Sequence, residues 1–187
     1  MVPATVRPRS SPLSALLAGL QSGMLGVLAM LAWLGVSAKM QGRSFWTDAN
    51  LMASTFYGDS AIHSGFAFRT LSGVALYVLL YSSLGALFAL VVADRQPRVR
   101  VLLLSVLFAV GWYYVSYNLI WKSLAPLMVL LHSPQPAILG HLVYGTLMGQ
   151  YPAHMPKPPA PAPMAEVAPV PGPERSVAET QSEAPEP

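Results

Sequence analysis

The stretch VRVLLLSVLFAVGWYYVSYNLIW, residues 99 to 121, decides the fold class of this chain. Between Arg100 and Lys122 no side chain carries a formal charge. At about 1.5 Å per helical residue, a run of this length matches a bilayer core of roughly 30 Å. We therefore predict a transmembrane helix over residues 99–121.

The composition of the 187-residue chain is typical of a membrane protein. Hydrophobic residues make up 53% of it and charged residues only 10%, whereas a soluble domain carries about 25% charged residues. The absence of cysteine excludes disulfides, thiolate metal sites and thiol catalysis. The net charge of +3 comes mainly from cations at the ends of apolar runs. We interpret these cations as topology signals and expect no nucleic-acid partner.

Three further apolar runs predict helices on either side of this one. The first, about residues 13–39, is longer than the hydrophobic region of a signal peptide, which spans about 7 to 15 residues. The second, about residues 70–93, is separated from 99–121 by a short basic turn that contains Pro97. The last run, about residues 137–151, gives about 22 Å of helix, which is short for a crossing. The sequence thus predicts an all-α polytopic membrane protein with a bundle of four transmembrane helices.

The remaining segments differ in character. Residues 1–12 form a basic lead-in, and residues 13–151 form the membrane domain. An interfacial helix is predicted at about residues 48–57, where aromatic residues suit a headgroup boundary. Residues 122–136 are interrupted by prolines, so we expect either a re-entrant half-helix or an interfacial hairpin. Residues 152–187 are rich in Pro, Ala and Glu, which predicts a disordered tail.

Small residues repeat at spacings that suit close contact between helices. Two rows with an interval of four residues start at Ala15 and Ala18. Such rows let a second helix approach closely in lipid, and the partner is either another helix of this chain or a second copy. The candidate helix-packing residues are Ala15, Gly19, Gly23, Gly26, Gly85, Gly145 and Gly149.

A second group of candidates combines polar and aromatic side chains. His63, His132 and His141 could converge with Asp48 or Asp59 as a metal or proton site. Their spacings match no metal-ligand motif, however, so no metal or cofactor is predicted. An imidazole near the membrane surface is also commonly a hydrogen-bonded polar end. The candidate polar functional cluster comprises Trp46, Asp48, Asn50, His63, Asn118, His132, His141 and Tyr144.

Motifs of soluble enzymes are absent from the sequence. It contains no Gly-x-Ser-x-Gly elbow, no Gly-x-Gly-x-x-Gly and no phosphate-binding loop. No Asp, Glu, Lys or Arg lies in the middle of an apolar run, which argues against ion-coupled transport. We therefore predict no catalytic residues, and an intramembrane lipid-modifying enzyme that uses His63 or His141 is the remaining enzymatic alternative.

Two functions remain open. The first is a non-enzymatic accessory or scaffold component that contacts the lipid bilayer and packs against other membrane proteins, or itself, through its small-residue faces. The alternative is a small transporter or channel for an uncharged or weakly charged solute. Its predicted path is lined by Tyr77, Tyr81, Asn118, His141 and Tyr144.

The distribution of cations predicts the orientation. With four crossings, the side of the termini collects Arg7, Arg9, Arg95, Arg98, Arg100 and Lys157. The opposite side collects Lys39, Arg43, Arg69 and Lys122. Cations concentrate on the cytoplasmic side, so both termini are expected in the cytoplasm. The layout resembles that of small bacterial inner-membrane proteins in general, and we expect that membrane.

Overall fold

A computed structural model describes residues 11–62, 65–92 and 96–156. These residues are helical throughout apart from short connections, and no strand occurs among them, which confirms the all-α prediction for this part of the chain. The helices are α1 (Pro12–Met40), α2 (Thr47–Tyr57), α3 (Phe68–Val91), α4 (Arg98–Leu124), α5 (Pro126–Leu131) and α6 (Pro134–Met148). The lead-in up to residue 10, His63 and the predicted disordered tail from residue 157 lie outside the described residues.

Three of the described helices are long and apolar enough to cross a membrane. Their most apolar stretches have a mean hydropathy of 1.8 in α1, 2.2 in α3 and 1.7 in α4. Large apolar side chains are exposed along them, for example Leu25 on α1, Leu79 on α3 and Leu107 on α4. Such surfaces are suited to contact with lipid.

Local signals set the ends of α1. The N–H of Ser14 donates to Ser11 Oγ at 3.2 Å, and Pro12 occupies the first turn, where its missing N–H costs nothing. At the other end, Gly42 adopts a φ of 73°, which a residue with a side chain rarely does. The chain then turns into α2.

The helices pack where small residues allow the backbones to approach. A Cβ at Gly85 on α3 would lie 2.5 Å from the carbonyl oxygen of Gly19 on α1. The ring of Tyr144 on α6 packs against Gly26 of α1, and Gly145 of α6 faces Ala109 on α4. The helix α6 therefore lies between α1 and α4, while α3 packs on α1.

Most of the helix α2 is buried, whereas Phe56 and Tyr57 at its C-terminal end are exposed. Its residues 48 to 54 are all buried, whereas a helix lying on a surface would expose one face. The carbonyl of Ala49 lies against Gly73 on α3, at a distance that leaves no room for a side chain. Asn50 accepts a 2.7 Å hydrogen bond from Thr70 Oγ1. Thr70 Oγ1 in turn accepts a 2.9 Å hydrogen bond from the N–H of Ala67 and so caps α3.

The predicted break after residue 121 takes a definite form. The end of α4 contains a π-helical segment, Ser116–Trp121, and the chain leaves the helix at Ala125 with φ −144° and ψ 72°. The short helix α5 follows, and its end at His132 leads into α6. A π-helical turn widens the helix, and such turns are often found at functional sites.

Candidate functional site

A small cavity lies between α1, α3, α4, α5 and α6, in the half of the bundle near the C-terminal end of α1. We call it the inner chamber. Its volume is about 20 Å³, which is room for about one water molecule. Its wall consists of Met30, Leu34, Tyr77, Tyr81, Tyr113, Ser116, Tyr117, Trp121, Met128, His132, Ala137 and His141.

His141 is held in one orientation at the wall of the chamber. Its Nδ1 lies 2.8 Å from the carbonyl oxygen of Ala137. Because a carbonyl only accepts, Nδ1 donates this hydrogen bond. The Nε2 atom of the neutral imidazole then accepts a 2.8 Å hydrogen bond from the hydroxyl of Tyr81. The hydroxyl of Tyr144 donates to the carbonyl of Tyr81 at 2.7 Å, so α6 and α3 are joined twice.

Aromatic rings continue from His141 to His132. The rings of His141 and Tyr113 have centroids 5.1 Å apart, and Tyr113 stacks on Tyr117 at 5.6 Å. Tyr117 lies 5.4 Å from His132. The hydroxyl of Tyr117 donates to the carbonyl of Val129 at 2.6 Å, which ties the π-helical segment to α5. The two histidines are thus the ends of one continuous row of rings.

His132 also faces a buried acid. Its Nδ1 lies 3.6 Å from Oδ1 of Asp48 on α2, and the two side chains are 5% and 6% exposed. This separation is beyond hydrogen-bond distance, and among the described residues the Nδ1 atom has no hydrogen-bond partner. A buried imidazole and carboxylate at this distance can form a hydrogen bond with each other after a small shift. Alternatively, a third group can form hydrogen bonds with both of them.

Two larger cavities meet at this pair. The surface groove, of about 730 Å³, is lined by Trp33, Ser37, Met40, Gln41, His132, Ser133, Pro134, Gln135, Pro136 and Leu139. The lateral pocket, of about 220 Å³, is lined by Leu28, Leu31, Ala32, Gly35, Phe45, Trp46, Asp48, Ala49 and Val74. His132 belongs to the walls of both the groove and the inner chamber, whereas Asp48 belongs to the wall of the lateral pocket.

The groove is bounded by a hydrogen-bonded link between the end of α1 and the start of α6. Arg43 donates to Ser133 Oγ at 2.9 Å and to Gln41 Oε1 at 3.1 Å. The indole N–H of Trp33 donates to the carbonyl of Pro136 at 2.9 Å. These contacts place polar groups at the mouth of the groove.

Several predicted site residues lie elsewhere. Trp46 packs on Phe66, with ring centroids 4.9 Å apart, and borders the lateral pocket. Asn50 joins α2 to α3 through Thr70 and does not line any of the three cavities. Asn118 is exposed and donates to the carbonyl of Tyr114 on its own helix at 2.8 Å. His63 lies outside the described residues.

The predicted solute path is only partly assembled. Tyr77, Tyr81 and His141 line the inner chamber, whereas Tyr144 is not part of its wall and donates to the carbonyl of Tyr81. The helical spacing of Tyr113 and Tyr117 signalled a shared face. Of the proposed convergence of the histidines with Asp48 or Asp59, the structure brings His132 close to Asp48. Within the part of the chain that the structure describes, no three His, Asp or Glu side chains are arranged to hold a metal ion.

No protein-family model, curated protein or solved structure matches the chain. The function proposed below therefore rests on the geometry of the chamber, the groove and the pocket.

Proposed function

We propose that this protein is a small membrane transporter or channel for an uncharged or weakly charged solute, with the surface groove as the entrance and the inner chamber as the binding site. The observation that carries the proposal is the position of His132, which lines both cavities. Its side chain therefore lies between the wide groove and the small inner chamber.

The order of the cavity-lining residues along α1 supports a path that is open toward one end of the bundle. Ser37 and Gln41 lie in or beside the groove, and Met30 and Leu34 line the chamber. One turn further toward the N-terminus of α1, the ring of Tyr144 packs against Gly26. Beyond that point α1 and α3 are in close backbone contact. On this proposal, the contact of Tyr144 with Gly26 closes the path, and passage would require Tyr144 to move.

The chemistry of the chamber supports the class of solute. Its polar groups are the hydroxyls of tyrosine and Ser116 and the two imidazoles, and no Asp, Glu, Lys or Arg belongs to its described wall. Such groups donate and accept hydrogen bonds without a fixed charge. A water-sized polar molecule can form hydrogen bonds there, whereas an ion would exchange its hydration shell for uncharged groups.

The position of α6 supports four crossings. Its start is joined to α1 by the bond from Trp33 to Pro136. Beyond its end, the hydroxyl of Tyr151 donates to the carbonyl of Val92, next to the end of α3, at 3.0 Å. The 15-residue helix and the turn that follows it thus extend between opposite ends of the long helices. We place the protein in a bacterial inner membrane with both termini in the cytoplasm, on the distribution of cations.

Solute flux into liposomes tests the proposed transport function. We expect vesicles containing the protein to admit water or small polar solutes such as glycerol faster than empty vesicles, as measured by light scattering after an osmotic step. The substitution His132→Phe should abolish the difference, because an apolar ring closes the passage from the groove. The matched control is His154→Phe, beyond the end of α6. Flux equal to that of empty vesicles for every solute would contradict the proposal.

An accessory or scaffold role is the second candidate, and the exposure of α4 favours it. Only 28% of the most apolar stretch of α4 is buried, compared with 44% in α1 and α3. Among the described atoms, none lies within 4 Å of a Cβ placed on Gly111, so a partner helix could approach there. In contrast, helices of the same chain already pack against the glycines in the two small-residue rows of α1.

Cross-linking distinguishes this second role. Since the chain has no native cysteine, Gly111→Cys introduces a single thiol on the open face of α4. A disulfide-linked dimer, or a linked partner from native membranes, is expected if the face is an interface. The control is a cysteine at Ala75, on the exposed side of α3. Equal linkage from both positions would indicate random collision.

A further inference from the structure

We propose that the lateral pocket binds an amphiphile with an ammonium headgroup that enters from the lipid, with its apolar chain between α1 and α3 and its headgroup at Asp48. This site adjoins the solute path where Asp48 faces His132, but its ligand is different, so either proposal can fail without the other. The argument depends on three features of the pocket: its charge, its aromatic wall and its position.

The charge of the pocket comes from one residue. Asp48 is the one acidic or basic side chain among the described residues that line it. The carboxylate is 6% exposed, and His132 stands beyond hydrogen-bond distance at 3.6 Å. A buried carboxylate is costly unless a donor or a cation pairs with it. The ammonium group of a ligand provides both.

The aromatic residues of the pocket complement the same headgroup. Phe45 and Trp46 line the pocket, and their rings meet edge to face with centroids 5.0 Å apart. Phe66 extends this wall behind Trp46. Aromatic faces attract ammonium groups, most strongly where water is excluded. Aromatic rings beside a carboxylate therefore favour a cation over a neutral headgroup.

The position of the pocket indicates where the ligand comes from. The other walls are the apolar side chains of α1 and α3, including Leu28, which is 48% exposed on the lipid-facing surface of α1. Gly35 leaves space that the ring of Phe45 fills, so the floor of the pocket is aromatic. The volume of about 220 Å³ accommodates part of a single alkyl chain rather than a drug-sized molecule.

The test measures binding of dodecylamine to the full chain in phosphatidylcholine nanodiscs by native mass spectrometry, with 1-dodecanol and dodecanoic acid as comparison ligands. We expect one saturable site for dodecylamine. The affinity for dodecanol should be at least about tenfold lower, because a charge-assisted hydrogen bond is lost, and dodecanoic acid should be rejected. Equal affinity for the alcohol, or uptake of dodecylamine without saturation, would overturn the proposal.

Two variants locate the site. Asp48→Asn should weaken dodecylamine binding at least about tenfold, whereas Asp59→Asn, at an exposed acid, should leave it unchanged. Ala32→Leu fills the pocket without touching the carboxylate and should also weaken binding, with Ala75→Leu as its control. Retained helical circular dichroism identifies the folded variants, and Ala32→Leu keeps the test decisive if Asp48→Asn does not fold. Unchanged affinity in folded Ala32→Leu would refute the site.

Solute flux separates this proposal from the transport function. If the lateral pocket binds dodecylamine while the liposomes show no flux, the amphiphile site stands and the transport proposal fails. If flux is present and no variant changes dodecylamine binding, the transport proposal stands and the amphiphile site fails.

Discussion

Gly85 lies where the backbones of α1 and α3 meet. A Cβ added there would come within 2.5 Å of the carbonyl oxygen of Gly19 and 2.8 Å of the Cα of Gly23. Both neighbours are backbone atoms of a helix, so neither can move aside cheaply. The absence of a side chain at this position is therefore a condition for the observed packing of the two helices.

We expect Gly85→Ala to lower the free energy of unfolding by about 1–3 kcal/mol, because overpacking forces α1 away from α3. The matched control is Gly111→Ala, where the described atoms leave open space around the added methyl group. That change should be neutral or slightly stabilising, by up to about 1 kcal/mol, since alanine is the better helix former. Thermal unfolding in mild detergent compares the two variants. Equal losses in both would show that helix contact at Gly85 does not matter.

Tyr81 acts through its hydroxyl as well as its ring. It donates to Nε2 of His141 at 2.8 Å inside the bundle, where leaving a buried acceptor unpaired is costly. Tyr114, which is 53% exposed on α4, provides the same chemical group on the surface.

Replacement of Tyr81 by phenylalanine should cost about 1–3 kcal/mol of stability, because the buried Nε2 of His141 loses its donor. The corresponding change Tyr114→Phe should cost less than about 0.5 kcal/mol. Unfolding of both variants under the same detergent conditions gives the comparison. A Tyr81→Phe variant as stable as the wild type would indicate that His141 finds another donor.

Among the elements, α2 owes its position to contacts with α3. It is 11 residues long, and an isolated helix of that length is only marginally stable in water. The contact of Ala49 with Gly73 and the bond from Thr70 to Asn50 hold it against α3. Since α2 carries Asp48, this attachment also positions the acid that lines the lateral pocket.

Thr70→Val should loosen α2, because the valine keeps the shape of threonine but loses the donor to Asn50 Oδ1 and the acceptor for the N–H of Ala67. We expect faster amide hydrogen exchange over residues 47–57 and around residue 67, with no change in α4. The control Thr146→Val removes only a hydroxyl that bonds within its own helix, to Leu142 at 2.8 Å. Protection of α2 identical to the wild type would refute its dependence on Thr70.

For the whole molecule, the decisive question is whether α6 passes from one membrane face to the other. Arg43 and Ser133 meet at one end of the bundle. Tyr151 and Val92 meet at a different place, beyond the ends of α6 and α3. If these two contacts mark opposite faces, the chain crosses four times.

Labelling of single introduced cysteines tests this arrangement directly, because the chain has no cysteine of its own. Cysteines at Ser44 and Ser133 should react with an impermeant maleimide from one side of the membrane. Cysteines at Gln96 and His154 should react only from the other side, which the distribution of cations places in the cytoplasm. Labelling of His154→Cys together with Ser133→Cys would mean that α6 enters the membrane and returns.

The helical class and the three long apolar helices were predictable from the amino-acid sequence, because hydrophobicity over some twenty residues is a property of local composition. The spacing of Tyr113 and Tyr117 likewise indicated a shared face, since neighbours on a helix follow from its period. The spacing of His141, Gly145 and Gly149 likewise indicated that these residues lie on one face of a helix.

Only the tertiary structure decided which faces meet. The contact of Asp48 with His132 joins a helix that precedes α3 to the short connection between α5 and α6, and no local pattern encodes such a meeting. It depends on the rotation of each helix about its axis, which the glycine contacts of α1, α3 and α6 determine jointly. The same rotation turned Asn118 outward and enclosed α2, because in a bundle the position of a side chain is set by its neighbours as well as by its own polarity.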